Sequence, residues 1–235
     1  MEDRFVLHFQ PIVSLRDRRV AHHEALLRLL PEGGGEPIAP GAFLPAAERD
    51  GLICEIDRMV IGKVAALLGR GGIARGGIAV NVSARSVSDR GLLAHLQRCL
   101  AVHRAEPSRL VVEVTETAAI SDMARARDFC LGAQALGCRV ALDDFGAGFG
   151  SLQYLRHLPF DFLKIDGQFI RSLPASRADR LVVEALAGIA WGLGAEPIAE
   201  FVEAKDTLRT LRALGLDLVQ GFAVGQPEPM LPLAA

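Results

Sequence analysis

The amino-acid sequence predicts an α/β fold in which mostly parallel strands close into a barrel. Short apolar runs typical of buried strands recur along the 235 residues, and helical patterns separate most of them. Polar residues stand at or just after the ends of these runs, and successive ones from Asn81 to Gln220 are 20 to 36 residues apart. Each step is about one strand-plus-helix unit. The even alternation, with no linker-like stretch, predicts one domain over residues 1–235.

The first two predicted strands differ from the others in how they are connected. A polar turn through Arg16–Arg19 joins them, and this is too short for a parallel crossover, which needs a dozen or more residues. The sequence therefore predicts an antiparallel pair at the start of the barrel. The predicted strands are Phe5–Phe9, Ala21–Leu26, Ile78–Val82, Leu110–Val114, Val140–Leu142, Phe160–Leu163 and Pro197–Ala199.

Rows of leucines predict the helices that cover the barrel. Leu92, Leu93, Leu96 and Leu100 share one helical face, as do Leu208, Leu211 and Leu214. The apolar segment Leu181–Ala195 is shorter than the ~20 residues of a membrane helix, so it predicts a helix packed on the sheet. Another helix is expected to start near Ser151.

Composition limits the classes of partner and the compartment. A net charge of −2 and a pI near 6.3 provide no global field for a DNA or RNA polymer or an anionic membrane. The four cysteines form no C-x-x-C pair, which favours a reduced, cytoplasmic setting over a disulfide framework or structural zinc. The N-terminus lacks the apolar core of a signal peptide. We therefore expect a cytoplasmic protein with no membrane segment.

The polar residues at the strand ends predict a metal site. The carboxyl ends of barrel strands meet on one face, so these side chains should lie close together. Oxygen ligands select Mg²⁺ or Mn²⁺ over zinc or copper. Adjacent carboxylates such as Asp143 and Asp144 can serve two cations roughly 3.5–4 Å apart. The set is Glu24, Asn81, Glu113, Asp143, Asp144, Lys164 and Glu200.

Taken singly, each motif also fits a structural role. The segment Asp143–Gly146 can be a strand-to-helix turn with an aspartate cap. Lys164 either acts on a nucleophilic water and on phosphate charge or forms a salt bridge with a neighbouring aspartate. His22 and His23 are interpreted as packing or surface residues, because neighbours on a strand point to opposite sides.

Seven motifs accompany Glu24-Ala25-Leu26-Leu27-Arg28 in order along nearly the whole chain. They are Gln10-Pro11-Ile12, Asn81-Val82-Ser83, Glu113-Val114-Thr115-Glu116, Asp143-Asp144-Phe145-Gly146, Lys164-Ile165-Asp166, Ala199-Glu200-Phe201-Val202-Glu203 and Gln220-Gly221-Phe222. The combination resembles the EAL-domain phosphodiesterases that hydrolyse cyclic di-guanosine monophosphate (c-di-GMP). The resemblance implies a TIM-like (β/α)8 barrel whose first strand is antiparallel to the others.

The resemblance also implies a mechanism and its metals. Two divalent cations, Mg²⁺ or Mn²⁺, would support hydrolysis of c-di-GMP to the linear dinucleotide pGpG, and Ca²⁺ would inhibit it. Glu24, Asn81, Glu113 and Asp143 would hold one metal. Asp143 would bridge to a second metal bound by Asp144, which makes Glu24 and Asp144 part of the catalytic set.

Further roles follow from the same resemblance. Lys164 and Glu200 would position or deprotonate the attacking water, and Glu116 would tether the loop Gly146–Gly150. Arg28 would contact a substrate phosphate. Gln10 and Gln220 would line the site. A homodimer through Gln153–His157 is also implied. The domain either acts alone or is part of a longer regulator with sensory or GGDEF-like domains.

The chain departs from the commonest family pattern at three positions. Ala147 and Gly150 stand in place of a threonine and a serine, and Phe201 replaces a frequent glycine. Two alternatives to the enzyme therefore stay open. One is a receptor that binds c-di-GMP without cleaving it, and the other is an interaction scaffold. The retained acids favour the enzyme over both.

Overall fold

The chain folds into a closed barrel of eight strands with helices outside it. The computed structural model describes residues 4–71, 76–146 and 152–229. Pairing runs in the order β2-β3-β4-β5-β6-β7-β8-β1, and the β1–β2 pair closes the ring. The predicted TIM-like α/β barrel is confirmed. The strands are β1 Phe5–Ser14, β2 Val20–Leu29, β3 Gly77–Val82, β4 Leu110–Thr115, β5 Arg139–Phe145, β6 Phe162–Ile165, β7 Glu196–Ala199, β8 Leu218–Gln220 and, beside β1, the short β9 Glu228–Pro229.

Strand β1 runs against its neighbours, as the short connection predicts. It pairs antiparallel with β2, from Phe5 opposite Leu29 to Val13 opposite Val20, and antiparallel with β8. Strands β2 to β8 are parallel throughout. The carboxyl ends of seven strands and the beginning of β1 therefore share one face of the barrel.

The helices follow the leucine rows. Leu92, Leu96 and Leu100 are buried in α4, and Leu211 is buried in α9. In place of the helix expected near Ser151, which itself lies outside the described residues, a 3-10 helix spans Leu152–His157. The α-helices are α1 Leu44–Arg49, α2 Ile53–Gly69, α3 Ala84–Val87, α4 Arg90–His103, α5 Glu116–Ser121, α6 Met123–Ala135, α7 Gly167–Ile170, α8 Arg177–Gly192 and α9 Lys205–Ala213.

Several strand boundaries differ from the prediction, and two of these differences affect the site. Strand β5 continues through Asp143 and Asp144 to Phe145. Strand β6 begins at Phe162, two residues later than predicted, so Lys164 lies inside it. The carboxylate of Asp161 accepts a hydrogen bond from the backbone N–H of Val140 at 2.8 Å. This bond anchors the residues just before Phe162 as a connecting segment instead of a strand.

An apolar layer closes the barrel below the site. Every strand from β3 to β8, together with β1, contributes one inward side chain to this apolar floor. Its members are Ile12, Ala79, Val111, Ala141, Phe162, Ile198 and Leu218. His22 packs against Phe162 in the same interior, with ring centroids 5.1 Å apart, and burial lowers the pKa of His22 to about 3. A second, larger core lies between the strands and the helices.

A helix that crosses a bilayer needs about 20 mostly apolar residues. Within residues 4–71, 76–146 and 152–229, every helix is too short or too polar to cross one.

Candidate active site

Lys164 stands at the centre of the carboxyl face of the barrel. Its side chain is 1% exposed. Four carboxylates surround its ammonium group, and we call them, with Asp144 beside them, the acidic cluster. The distances from Lys164 Nζ are 2.9 Å to Asp143, 3.0 Å to Glu113, 3.0 Å to Glu200 and 3.5 Å to Glu24.

Strand periodicity brings these residues together. Side chains two apart on a strand point the same way. Glu113 follows the floor residue Val111 by two positions, and Lys164 follows Phe162 by two. The same spacing places Asn81, Asp143, Glu200 and Gln220 above Ala79, Ala141, Ile198 and Leu218. Each strand from β3 to β8 thus contributes one apolar side chain to the floor and, at or just after its end, one polar side chain to the layer above it.

Amide groups fix the position of Glu24. Gln220 Nε2 donates to one Glu24 oxygen at 2.6 Å, and Asn81 Nδ2 donates to the other at 2.6 Å. Gln220 also donates to Gln10 Oε1 at 3.2 Å. Burial opposes the charge on Glu24, but Lys164 and the two amides together hold the pKa of this carboxyl below its usual value.

A bulge turns the adjacent aspartates toward the site. The register between β5 and β6 shifts between Leu142 and Phe145, and Asp144 has a left-handed φ of 54°. A bulge re-aims a side chain that would otherwise face away. Oxygens of Asp143, Asp144 and Glu200 lie within 4.8 Å of one another, which is a spacing that can hold a metal ion.

Charge in the cluster is unbalanced. Burial and neighbouring carboxylates raise the pKa of Glu113 well above its usual value and the pKa of Glu200 to about 8. Burial and Asp143 raise the pKa of Asp144 to about 6. Burial disfavours the Lys164 cation, yet the surrounding carboxylates raise its pKa well above normal. The pKa values of Glu24 and Glu113 shift in opposite directions because the amides donate hydrogen bonds to Glu24, whereas the negative charges of Glu24 and Asp143 add to the effect of burial on Glu113.

The donor set fits divalent cations. Glu113 Oε1 and Glu200 Oε2 are buried and have no hydrogen-bond partner among the described residues. A buried carboxylate oxygen without a donor is costly, and a bound cation removes that cost. Oxygen ligands in this number favour Mg²⁺ or Mn²⁺. The geometry also adds Glu200, which the resemblance assigned to the water, to the candidate ligands.

We expect Mn²⁺ affinity to rise with pH between about 6 and 8. Asp144 and Glu200, with pKa values of about 6 and about 8, must lose their protons before they bind a cation, and so must Glu113, whose pKa is raised by burial. Each displaced proton steepens the dependence by up to roughly tenfold per pH unit. Titration calorimetry in buffers of different ionisation enthalpy counts the protons released. Glu200→Gln should remove the upper step, and an affinity that is constant from pH 6 to 9 would contradict the prediction.

A cavity of about 370 Å³ opens onto the acidic cluster. Its inner wall includes Gln10, Glu24, Asp143, Lys164 and Glu200. Its outer wall includes Asp144, Arg171, Phe201 and Phe222. Polar groups that converge on one end of a partly apolar cleft are typical of a ligand site.

Comparison with known proteins is consistent with this geometry. The EAL domain family matches residues 1–227. The chain belongs to the EAL domain family. Named relatives of this EAL domain include the cyclic di-GMP phosphodiesterase PdeB of Shewanella oneidensis, 33% identical over 97% of the chain, and the bifunctional diguanylate cyclase/cyclic di-GMP phosphodiesterase MucR of Pseudomonas aeruginosa, 37% identical over 99%. The chain spans 27% and 34% of their respective lengths.

Solved structures also resemble this EAL domain closely. A c-di-GMP complex of the PaMucR phosphodiesterase superposes with a TM-score of 0.89 at 37% identity, covering 97% of this chain and 93% of that one. The FimX EAL domain from Pseudomonas aeruginosa bound to c-di-GMP gives 0.88 at 32% identity, covering 96% and 91%. The predicted family is therefore confirmed.

Two further residues of the predicted site, Glu116 and Arg28, lie outside the acidic cluster. Glu116 Oε2 accepts the backbone N–H of Gly146 at 2.9 Å, at the start of the loop it is predicted to tether. The rest of that loop, including Ala147 and Gly150, lies outside the described residues. Arg28 donates to the carbonyl of Leu27 at 2.9 Å and does not line the cavity. Its contact with a substrate phosphate stays a prediction.

Sequence reasoning missed Arg171 at the cavity mouth. Arg171 follows the short helix α7, and its guanidinium carbon lies 4.5 Å from the centre of the Phe201 ring. It forms no part of a strand-end motif, so nothing in its local pattern indicated the site. Phe222 belongs to the Gln220-Gly221-Phe222 motif, which assigned no role to its ring. The ring is 60% exposed and lines the same cavity.

Proposed function

We propose that this EAL domain hydrolyses c-di-GMP to pGpG with two divalent cations, Mg²⁺ or Mn²⁺. The observation that carries the proposal is the acidic cluster around Lys164, four of whose five carboxylates line one cavity: Glu24, Asp143, Asp144 and Glu200. Such an excess of negative charge repels a phosphodiester unless cations are bound. The same cluster with cations bound attracts it. Relatives named as c-di-GMP phosphodiesterases support the choice of substrate.

The described side chains divide into two overlapping ligand groups. The first metal would be held by Glu24, Asn81, Glu113 and Asp143. The second would share Asp143 and be held by Asp144, with Glu200 close enough to join it. When bound, the cations stabilise the attacking and leaving oxygens and neutralise phosphate charge.

Lys164 and Glu200 are proposed to act on the attacking water. The ammonium of Lys164 contacts Asp143 and Glu200, so it aligns both carboxylates and can orient a water between them. Glu200 Oε2 has no hydrogen-bond partner among the described residues, so the carboxylate form of Glu200 can accept a proton from that water. The water oxygen bonds to phosphorus while the bond to the 3′ oxygen breaks, which leaves a 5′ phosphate and a 3′ hydroxyl.

We predict that purified domain converts c-di-GMP to pGpG with Mg²⁺ or Mn²⁺, and that chelator or Ca²⁺ prevents the conversion. Ca²⁺ takes more ligands at longer distances than Mg²⁺, so it should bind the carboxylates without supporting tight two-metal geometry. Chromatography of the nucleotides measures the result. Undiminished turnover in chelator would contradict metal-dependent hydrolysis.

A receptor that binds c-di-GMP without cleavage is the second candidate. It is favoured by the departures at Ala147 and Gly150, which lie next to the proposed metal ligands in the chain. Binding in Mn²⁺ without any linear product would support the receptor. The homodimer, the cytoplasmic setting and the roles of further domains stay predictions. Light scattering with and without c-di-GMP tests the homodimer.

A further inference from the structure

Phe201 has a backbone conformation that disfavours its own side chain. Its φ is 51°, in the left-handed region where glycine is unstrained and a bulky residue is rare. Strain of this kind persists mainly at functional sites, where the surrounding structure holds it in place. The position therefore requires an explanation in terms of what the phenyl ring does.

The surroundings of the ring accommodate it on one side. A Cβ atom at Gly167 would lie only 2.5–2.7 Å from carbons of Phe201, so a glycine there makes room for the ring. The Arg171 guanidinium lies 4.5 Å from the ring centre, a favourable cation–π distance. Gly167 at the start of α7 and Arg171 just after its end thus support the ring.

The Phe201 ring is also exposed to the cavity. Phe201 is 45% exposed and lines the cavity that contains Asp143, Lys164 and Glu200. Glu200 precedes Phe201 directly, so the aromatic ring stands immediately beside the proposed reaction centre. A flat apolar surface next to a phosphate site suits a nucleobase, because every base has a π-face that stacks on an aromatic ring.

We infer that Phe201, positioned by Arg171, is a stacking platform for one guanine of the cyclic dinucleotide. The inference rests on the proposed function and adds a residue that determines affinity and base preference. Phe201 contacts substrate, whereas Arg171 acts through the ring as a positioning residue. Stacking at a half-exposed aromatic predicts a loss of roughly 5- to 100-fold in affinity when the ring is removed.

The test compares Phe201→Gly and Phe201→Trp with the unmodified domain. Phe201→Gly should raise KM for c-di-GMP roughly 5- to 100-fold and leave kcat within about twofold. Thermal stability and Mn²⁺ affinity should not fall, since glycine relieves the backbone strain. Phe201→Trp should keep KM close to that of the unmodified domain, because an indole ring also stacks on a nucleobase. Leu131→Ala, which truncates a side chain that is likewise 45% exposed but lies on α6, is the matched control.

A direct optical readout is available because the chain has one tryptophan, Trp191. In a Trp191→Phe/Phe201→Trp variant, c-di-GMP in Ca²⁺ should quench the new indole through contact with guanine. An unchanged KM in Phe201→Gly together with unquenched fluorescence would overturn the platform while leaving hydrolysis intact. An unmodified domain that neither binds nor cleaves c-di-GMP would overturn both the platform and the proposed function. Arg171→Gln should raise KM less than Phe201→Gly does.

Discussion

Replacing Asp143 with asparagine should lower kcat for c-di-GMP by roughly 10³-fold while the domain stays folded. Asp143 contacts Lys164 at 2.9 Å and lies within metal-sharing distance of Asp144 and Glu200. It is the carboxylate common to both proposed ligand groups. Asparagine keeps the shape and one oxygen but removes the negative charge that would bridge two cations. Initial rates at saturating Mn²⁺ and c-di-GMP measure the loss.

Two measurements separate this effect from a folding defect. Asp128→Asn makes the same chemical change at an exposed position on α6 and should leave kcat unchanged. Calorimetric titration should show that Asp143→Asn binds Mn²⁺ more weakly and with fewer ions per chain. A folded Asp143→Asn variant with normal turnover would remove Asp143 from the proposed metal site.

The barrel was predictable because its signals are local. Apolar runs of strand length, leucines at helical spacing and the short Arg16–Arg19 connection are each contained in a few residues. The period of two along a strand likewise places Asn81 and Glu113 on the inner face, above Ala79 and Val111. These features depend little on the rest of the chain.

The centre of the site was less predictable because it depends on non-local geometry. Which carboxylates reach Lys164 is decided by the register of β2, β4, β5 and β7 around the closed ring, and no short segment encodes that register. The bulge at Asp143 and Asp144 and the left-handed Phe201 are likewise set by packing. The motif resemblance predicted which residues serve as ligands, while the contacts among them required the fold.

Replacing Lys164 with methionine should lower the free energy of unfolding in chelator by about 3 kcal/mol at neutral pH. Methionine keeps the length of the buried side chain but leaves Glu24, Glu113 and Asp143 close together without the ammonium between them. The raised pKa of Lys164 means that its stabilisation is fully present below its usual pKa and is lost only as pH rises through the higher folded value.

The loss of stability in Lys164→Met should depend on pH and on Mn²⁺. The directions of both changes identify repulsion among the carboxylates as its cause. At acidic pH, protonation of the carboxylates removes the repulsion, so the difference between the two proteins should shrink. Mn²⁺ should stabilise Lys164→Met more than the unmodified domain, because a cation then enters the cluster without a positive neighbour. Urea unfolding in chelator and in Mn²⁺ measures both effects. The control Lys205→Met, at an exposed position in α9, should leave the free energy of unfolding unchanged. If Lys164→Met in chelator is as stable as the unmodified domain, the carboxylates do not need the lysine.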